Sequence, residues 1–194
     1  MTPFAQSGRE RPEIMVVLVH SLARLRVPLG FLCAAVVFWL AEPTPVSLAA
    51  GVSVALAGEI LRVWAAGHLN KSREVTSSGP YRWLAHPLYV GSAVMGVGLG
   101  IASGRVLVAL VIAAYLAVTL TAAIRSEEAF LRRVFRDHYD RYRDAGWVDE
   151  DRRFSFARVK ANREYRAVAG FALAVLLLAW KATYNGSLWR SAAR

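Results

Sequence analysis

The sequence is poor in cysteine and in charge, and both shortages exclude whole classes of protein. Its 194 residues include one cysteine, Cys33, which excludes an internal disulfide and a metal site built from several cysteines. Charged residues make up only 20% of the chain, whereas hydrophobic residues make up 56% and the mean hydropathy is +0.34. So few charges cannot cover so much apolar surface in water. The composition therefore predicts an integral membrane protein.

Acidic residues are scarce relative to basic ones. The chain has 24 Lys and Arg against 14 Asp and Glu, a net charge of +10. Such an excess fits either nucleic-acid binding or the basic segments that orient a membrane protein. Because the basic residues flank apolar runs, we favour the membrane explanation and expect no nucleic-acid partner. The four histidines have neither ligand spacing nor a carboxylate cluster beside them, so we expect no metal site.

Five apolar runs predict five membrane-spanning helices in a single all-α domain over residues 1–194. Pro43 and Pro45 end the first run, because two prolines so close together cannot continue a helix. Only Gly104 and Arg105 separate the third and fourth runs, which must therefore form an antiparallel hairpin. A further apolar segment, too short to cross about 30 Å of hydrocarbon, is predicted to lie in the interface as a helix. The predicted spans are 27–41, 46–69, 87–103, 106–124 and 167–180, the last extendable through Tyr184, and the interfacial helix covers 14–23.

Basic residues lie on alternate sides of successive spans. They concentrate in the N-terminal segment, in the loop 70–85 and in the charged segment 125–166, whereas the connection 42–45 has none and the connection at 104–105 has only Arg105. Cytoplasmic segments of membrane proteins carry an excess of Lys and Arg. The N-terminal segment, the loop 70–85 and the segment 125–166 are therefore predicted to lie on the cytoplasmic side. The two long segments then meet there, so we predict an active site that faces the cytoplasm and a partly helical segment 125–166.

Three glycines inside the third predicted span are similar to a nucleotide-binding loop in composition only. Gly96, Gly98 and Gly100 lie within an apolar run, whereas a dinucleotide-binding loop needs a strand before it and a helix after it. Gly96, Gly100 and Gly104 recur every four residues. This spacing favours the close approach of a neighbouring helix.

The loop that leads into the third span carries Gly79, Tyr81, His86, Pro87 and Tyr89 in a short stretch. An interfacial loop explains most of them, because proline suits the first turn of a helix and aromatic rings lie at the depth of the lipid headgroups. It does not explain His86, a polar side chain placed where the chain re-enters the membrane. The residues by themselves leave a structural and a functional interpretation equally open.

A second polar group lies where the fourth span meets the charged segment 125–166. Arg125, Glu127 and Glu128 stand at its start, and apolar residues recur at helical spacing from Phe130 onward. A solvated amphipathic helix accounts for the apolar stripe. It accounts poorly for the two adjacent carboxylates, because ionisable groups at the edge of a membrane are costly to desolvate and are functional candidates for that reason.

The two blocks together resemble the isoprenylcysteine carboxyl methyltransferase and phospholipid methyltransferase family of small integral membrane enzymes. That family has a Gly-x-Tyr and a His-Pro-x-Tyr-x-Gly block, followed one helical hairpin later by Glu-Glu and an aromatic tail. The resemblance covers about residues 55–145, and Ala85 departs from it by standing where the family usually has Arg, which leaves the acceptor open. The matching residues are Gly79, Tyr81, His86, Pro87, Tyr89 and Gly91, then Glu127, Glu128, Phe135, Tyr139 and Tyr142.

The resemblance implies an S-adenosylmethionine-dependent methyltransferase that acts on a lipid-embedded acceptor and holds its cofactor without a Rossmann domain. Carboxylates and aromatic faces suit the sulfonium and ammonium groups of this cofactor, while an imidazole and loop amides suit its carboxylate and ribose. Carried over by position, the cofactor-binding residues are Arg73, Glu74, Val75, Thr76, Tyr81, His86, Pro87, Leu88, Tyr89 and Glu127.

For the acceptor, the resemblance favours a carboxylate of the isoprenylcysteine type, which Arg125 would hold in a bidentate contact. The alternative is phospholipid N-methylation, with phosphatidylethanolamine as acceptor, which needs a base to remove the ammonium proton; Glu128 and Glu59 are candidates. An NADPH-dependent sterol-reductase-like enzyme fits less well, because Ser92 stands where those enzymes tend to have an acid. A non-catalytic protein that keeps only the fold is the last alternative. We therefore predict catalytic roles for Arg125 and Glu128.

Overall fold

A computed structural model describes residues 30–71, 75–135 and 152–184, and all regular elements within these ranges are helical. The predicted all-α fold is confirmed. A short 3-10 helix, Gly79–Arg82, precedes the third long helix. The α-helices are α1 Gly30–Leu40, α2 Pro45–His68, α3 Pro87–Ala102, α4 Val106–Phe135, α5 Phe156–Ala161 and α6 Tyr165–Tyr184.

Three of these helices are long and apolar enough to cross a membrane, namely α2, α4 and α6. The shorter apolar helices α1 and α3 coincide with the other two predicted spans. Only 6% of the most apolar window of α4 is buried inside the protein, as expected for a helix whose side chains face lipid. The predicted interfacial helix at 14–23 lies outside the described residues.

Helix α2 begins where the sequence places a helix start. The Thr44 hydroxyl accepts a hydrogen bond from the Ser47 amide, and the Ser47 hydroxyl accepts one from the Thr44 amide. This reciprocal arrangement satisfies two amides that no helical carbonyl can reach. Pro45 occupies the first turn, where a missing amide hydrogen costs nothing.

Helices α2 and α3 pack backbone against backbone through glycines. A Cβ atom added to Gly98 would lie 2.3 Å from the Ala55 nitrogen, and one added to Gly58 would lie 2.5 Å from the Met95 nitrogen. No side chain fits at these distances. The glycines therefore set a close contact that any larger residue would force apart.

Two glycines of the predicted four-residue repeat face the next helix, and the third packs against the Glu42 carbonyl. A Cβ on Gly96 would lie 2.1 Å from Leu116 Cδ1, and one on Gly100 would lie 3.1 Å from the Ala109 Cα, both on α4. Gly104 has a φ of +70° in the turn between α3 and α4, a conformation that favours glycine. The predicted hairpin and the predicted role of the glycines in helix packing are both confirmed.

The helix ends separate into two faces. At one face, which we call the turn face, the Glu42 amide donates to the Ser103 carbonyl at 2.7 Å, and Lys181 Nζ near the end of α6 donates to the Trp39 carbonyl at 2.6 Å. The opposite face, the motif face, holds the end of α2, the start of α3, the final turns of α4 and the start of α6. The chain therefore runs back and forth between the two faces in the order that the basic residues predict. The assignment of the motif face to the cytoplasm stays a prediction.

Helix α4 is longer than the apolar run that predicted it. The run ends at Ile124, but the helix continues without interruption to Phe135. The continuation is reasonable because Glu128 and Arg132 form an i,i+4 ion pair at 3.8 Å on its surface. Arg125, Glu127 and Glu128 are thus fixed on a rigid helix rather than on a loop.

Candidate active site

The structure brings the two sequence blocks together at the motif face. His86 Nε2 lies 3.3 Å from Glu128 Oε1, and both side chains are largely buried, with 14% and 21% of their surfaces exposed. These residues are 42 positions apart in sequence. An imidazole paired with a carboxylate is an arrangement that can hold, accept or pass a proton.

His86 stands directly before α3, and its position follows from the local sequence. Pro87 forms the first turn of the helix, and the His86 carbonyl accepts hydrogen bonds from the Tyr89 and Val90 amides. The rings of His86 and Tyr89 lie 5.8 Å apart between centroids. These bonds hold the His86 main chain at the start of α3, and the imidazole itself contacts Glu128.

The aromatic residues of this block divide into two kinds. Trp83 is exposed and lies 6.1 Å from the ring of Trp64, whereas Tyr81 is buried. An aromatic ring at headgroup depth explains Trp83. It does not explain Tyr81, which the 3-10 helix turns toward the interior.

The other predicted residues of α4 differ in accessibility. Glu127 is half-buried, whereas Arg125 is exposed. Arg125 stands three residues before Glu128, so both side chains lie on one side of the helix. Arg132 extends the same row and pairs with Glu128. This face of α4 therefore offers a guanidinium and a paired carboxylate next to the start of α3.

The loop before the 3-10 helix folds back on the end of α2. Thr76 is buried, and its hydroxyl accepts a hydrogen bond from the Asn70 amide at 3.3 Å. Val75 is half-buried beside it. Arg73 and Glu74, which the resemblance places at the cofactor, lie outside the described residues. Of the predicted cofactor loop, the described part is thus ordered by bonds to α2.

His68 is part of this loop contact, although the sequence analysis assigned it no role. Its Nδ1 lies 3.2 Å from the Ser78 hydroxyl, and a Cβ on Gly79 would lie 2.5 Å from the His68 ring. Gly79 has a φ of +59°. The backbone at Gly79 therefore runs so close to the buried His68 ring that no larger side chain fits. Packing thus explains the glycine of the first block.

A buried cluster of charges lies one turn away from this site. Arg62 Nη2 pairs with Glu164 Oε1 at 2.6 Å, and Arg62 Nε lies 3.6 Å from Glu59 Oε2. Only 5% of the Glu59 side chain and 7% of the Glu164 side chain are exposed. Among the described residues, neither Glu59 carboxylate oxygen accepts a hydrogen bond. The spacing of Glu59 and Arg62 is visible in the sequence, but Glu164 is not visible as their partner.

Arg62 also supports the helix that begins with the His-Pro turn. Its Nη1 donates to the Leu88 carbonyl at 3.4 Å and to the Ser92 hydroxyl, and the Ser92 hydroxyl in turn donates to Leu88. Leu88 is one of the predicted cofactor-binding residues. The guanidinium thereby connects α2, the first turn of α3 and the start of α6.

The motif face contains histidine and glutamate side chains, which are residue types that can bind metal ions. Within the described ranges, no group of three or more His, Cys, Asp or Glu side chains is arranged to hold a metal ion. The two carboxylates around Arg62 are neutralised in part by that guanidinium. Arg62 forms ion pairs with Glu59 and Glu164, and the His86 imidazole contacts Glu128.

The described helices thus form a membrane-type bundle with paired ionisable groups at one face. Residues 46–138 match the family model described as phospholipid methyltransferase. Over this region the chain belongs to the phospholipid methyltransferase family, within the group of small membrane methyltransferases that the sequence blocks resemble. The matched region contains both blocks.

Two curated relatives are similar to the chain. One is the nickel-cobalt-cadmium resistance protein NccN of Alcaligenes xylosoxydans xylosoxydans, 38% identical over 92 residues, covering 46% of this chain and 42% of the relative. The other is the cobalt-zinc-cadmium resistance protein CzcN of Cupriavidus metallidurans, 30% identical over 146 residues, covering 70% of this chain and 66% of the relative. The chain thus spans about two fifths to two thirds of the length of these relatives. No solved structure gives a significant match.

Proposed function

We propose that this protein is an S-adenosylmethionine-dependent methyltransferase whose acceptor is embedded in the lipid bilayer. The observation that carries the proposal is the contact between His86 and Glu128 at 3.3 Å. It joins the two blocks of the family pattern at one face of the bundle, beside surfaces that face lipid. An acceptor anchored in the membrane can reach such a site without leaving the bilayer.

The residues at the motif face fit the chemistry of this cofactor. S-adenosylmethionine supplies a methyl group already activated by its sulfonium. A cationic ligand is stabilised by a carboxylate and by aromatic faces, and Glu127, Tyr81 and Tyr89 provide both kinds of group. Because the methyl group needs little further activation, the protein acts mainly by positioning the acceptor and excluding water. The buried 3-10 turn and the ordered loop at Thr76 suit that task.

A carboxylate acceptor of the isoprenylcysteine type is our first choice. Arg125 is exposed on α4 near the His86–Glu128 pair, so its guanidinium is accessible to an incoming group. Two parallel hydrogen bonds from a guanidinium match a carboxylate in geometry as well as charge. In this scheme Arg125 binds the acceptor, and Glu128 keeps the His86 imidazole in place.

Phospholipid N-methylation is the second candidate, and two observations favour it. The matching family model is the phospholipid methyltransferase model, and the His86–Glu128 pair is placed where a proton acceptor is needed. An ammonium group must lose a proton before its nitrogen attacks a methyl group. In this scheme the pair takes that proton, and the acceptor headgroup is an amine.

The cofactor assignment is tested with variants at the predicted contacts. Added S-adenosylmethionine should raise the melting temperature of the purified protein in detergent, because a ligand stabilises the state that binds it. His86→Ala and Glu127→Gln should melt near the wild-type temperature without ligand and lose the increase. Lys160→Gln, on the exposed surface of α5, is the control and should keep it. An undiminished increase in both site variants contradicts the assignment.

The acceptor class is tested by methyl transfer from radiolabelled cofactor to prenylcysteine analogues and to phosphatidylethanolamine. A carboxylate is ionised well below neutral pH, so its methylation rate should be nearly flat from about pH 6 to 8. An amine with a pKa near about 10 should gain rate about tenfold per pH unit over that window. Arg125→Lys should lower turnover on a carboxylate strongly while cofactor binding persists.

The outcome for Arg125 decides between the two candidates. A steep rise of rate with pH, together with a nearly active Arg125→Lys variant, would leave N-methylation as the function. Inactivity toward both acceptor classes, with cofactor binding intact, would direct the search to other membrane-embedded acceptors.

The names of the two relatives motivate a proposal about the biological setting of this activity. Both are named as metal resistance proteins. We infer that a methyltransferase of this kind contributes to such a system by modifying a membrane component. If so, growth of a deletion strain in cobalt or cadmium should be restored by the wild-type chain and not by Glu128→Gln, whereas rescue by both would separate the resistance from methyl transfer.

A further inference from the structure

A cleft of about 660 Å³ opens at the motif face between the end of α2 and the turn that joins α5 to α6. Helix α2 ends at His68 and helix α6 begins at Tyr165, so both membrane helices terminate beside it. The cleft therefore lies at the level where the apolar layer gives way to lipid headgroups. Its lining residues are Leu69, Asn70, Lys71, Ala157, Arg158, Ala161, Asn162 and Arg163.

The wall of the cleft is held in place by hydrogen bonds to the end of α2. Asn162 Nδ2 donates to the Ala66 and Leu69 carbonyls, both at 2.9 Å, and Arg158 Nε donates to the Gly67 carbonyl at 2.7 Å. These carbonyls belong to the last turn of α2, where no further helical amide is available. The α5 side of the cleft is thus fixed to the α2 side in advance of any ligand.

The described lining of the cleft carries positive charge and contains no acidic residue. Lys71 and Arg163 are exposed, and neither forms an ion pair within the part of the chain that the structure describes. Glu164, which follows Arg163, is buried and pairs with Arg62 at 2.6 Å. The lining combines three basic residues, of which Arg158 already donates to the Gly67 carbonyl, with the apolar side chains of Leu69, Ala157 and Ala161.

We propose that this cleft binds the headgroup of one net-anionic phospholipid, with its phosphate held by Lys71 and Arg163. A phosphate accepts charge-assisted hydrogen bonds from both side chains. A zwitterionic lipid is disfavoured because its ammonium group finds no carboxylate among the described lining residues. The proposal does not depend on methyl transfer, and its test measures lipid binding alone.

The experiment uses the purified full-length protein in detergent. Phosphatidylglycerol, phosphatidylcholine and inorganic phosphate are each titrated, and the shift in melting temperature gives an apparent Kd. Phosphatidylglycerol should stabilise the protein at concentrations where phosphatidylcholine does not. Equal stabilisation by both lipids would overturn the proposal. Stabilisation by millimolar phosphate with no further effect of the lipid would identify a free-phosphate site instead and would also overturn it.

Variants of Lys71 and Arg163 distinguish binding in the cleft from general electrostatic attraction between the protein and anionic lipid. Arg163 has a φ of 58°, so Arg163→Gly removes the side chain at a position whose backbone suits glycine. Combined with Lys71→Gln, it should weaken phosphatidylglycerol binding about thirtyfold, or about fivefold for each cation. Lys160→Gln removes a charge from the adjacent helix α5, outside the cleft, and should leave the Kd unchanged within about twofold. An equal loss in Lys160→Gln would show diffuse electrostatics and reject the site.

Discussion

The two faces of the bundle treat charge in opposite ways. At the turn face, Glu42 and Arg105 form an ion pair with 65% and 45% of their side chains exposed. At the motif face, Glu59, Arg62 and Glu164 form a cluster with at most 17% of any side chain exposed. Solvated charges cost little, whereas buried ones require partners to offset desolvation. The turn face therefore tolerates solvated charges, whereas the charges of the motif face depend on one another for their burial.

The buried cluster also differs from the exposed pair in what it connects. The Glu42–Arg105 pair joins two neighbouring turns. Arg62, by contrast, reaches Glu164 across 102 positions of sequence and contacts Leu88 at the start of α3. It therefore ties the segment beyond the family match to the helix that carries the His-Pro turn. The close glycine contacts between α2 and α3 hold together two helices that run from one face to the other.

The largest expected effect comes from breaking that glycine contact, on which both faces depend. Gly98→Leu places a side chain where a Cβ alone would lie 2.3 Å from the Ala55 nitrogen. The helices must separate, at a cost of about 3 kcal/mol or more, and we expect little monodisperse protein on size-exclusion chromatography. Val97→Leu, at an exposed neighbouring position, is the control and should behave as wild type. Normal yield and melting of Gly98→Leu would contradict the packing.

The next effect tests the buried charge cluster of the motif face. Arg62→Leu leaves Glu59 and Glu164 without the guanidinium that faces both, and such an uncompensated burial costs about 3–5 kcal/mol. The expected result is a much lower melting temperature in detergent. Adding Glu164→Gln to Arg62→Leu removes one of the two stranded carboxylates and should recover part of the loss. If the double variant is less stable than Arg62→Leu, the argument from uncompensated burial is wrong.

The smallest effect is expected at the turn face. Arg105→Leu breaks the 2.9 Å pair with Glu42, and an exposed pair contributes about 0.2–1 kcal/mol. Its melting temperature should fall by much less than that of Arg62→Leu, and raising the salt concentration should reduce the difference from wild type further. A loss as large as that of Arg62→Leu would remove the contrast between the two faces.

Local sequence patterns were sufficient for the helices. Pro43 and Pro45 predict the break before α2, the short connection Gly104-Arg105 predicts the hairpin, and apolar runs coincide with the five apolar helices of the described ranges. These features depend on neighbours in the chain, because capping, turn geometry and apolar length are local properties. The end of α4 at Phe135 was harder to predict from the sequence, because a charged helix and a charged loop have similar compositions.

The pairing of side chains across helices was decided by the tertiary structure. The sequence marks Glu127 and Glu128 equally, but adjacent residues on a helix point about 100° apart. Only the rotation of α4 against α3 brings Glu128, and not its neighbour, to His86. Likewise, Glu164 becomes the partner of Arg62 only when α6 packs beside α2. The sequence by itself determined which segments enter the membrane and which residues carry charge, whereas helix crossing and rotation determined which of those charges meet.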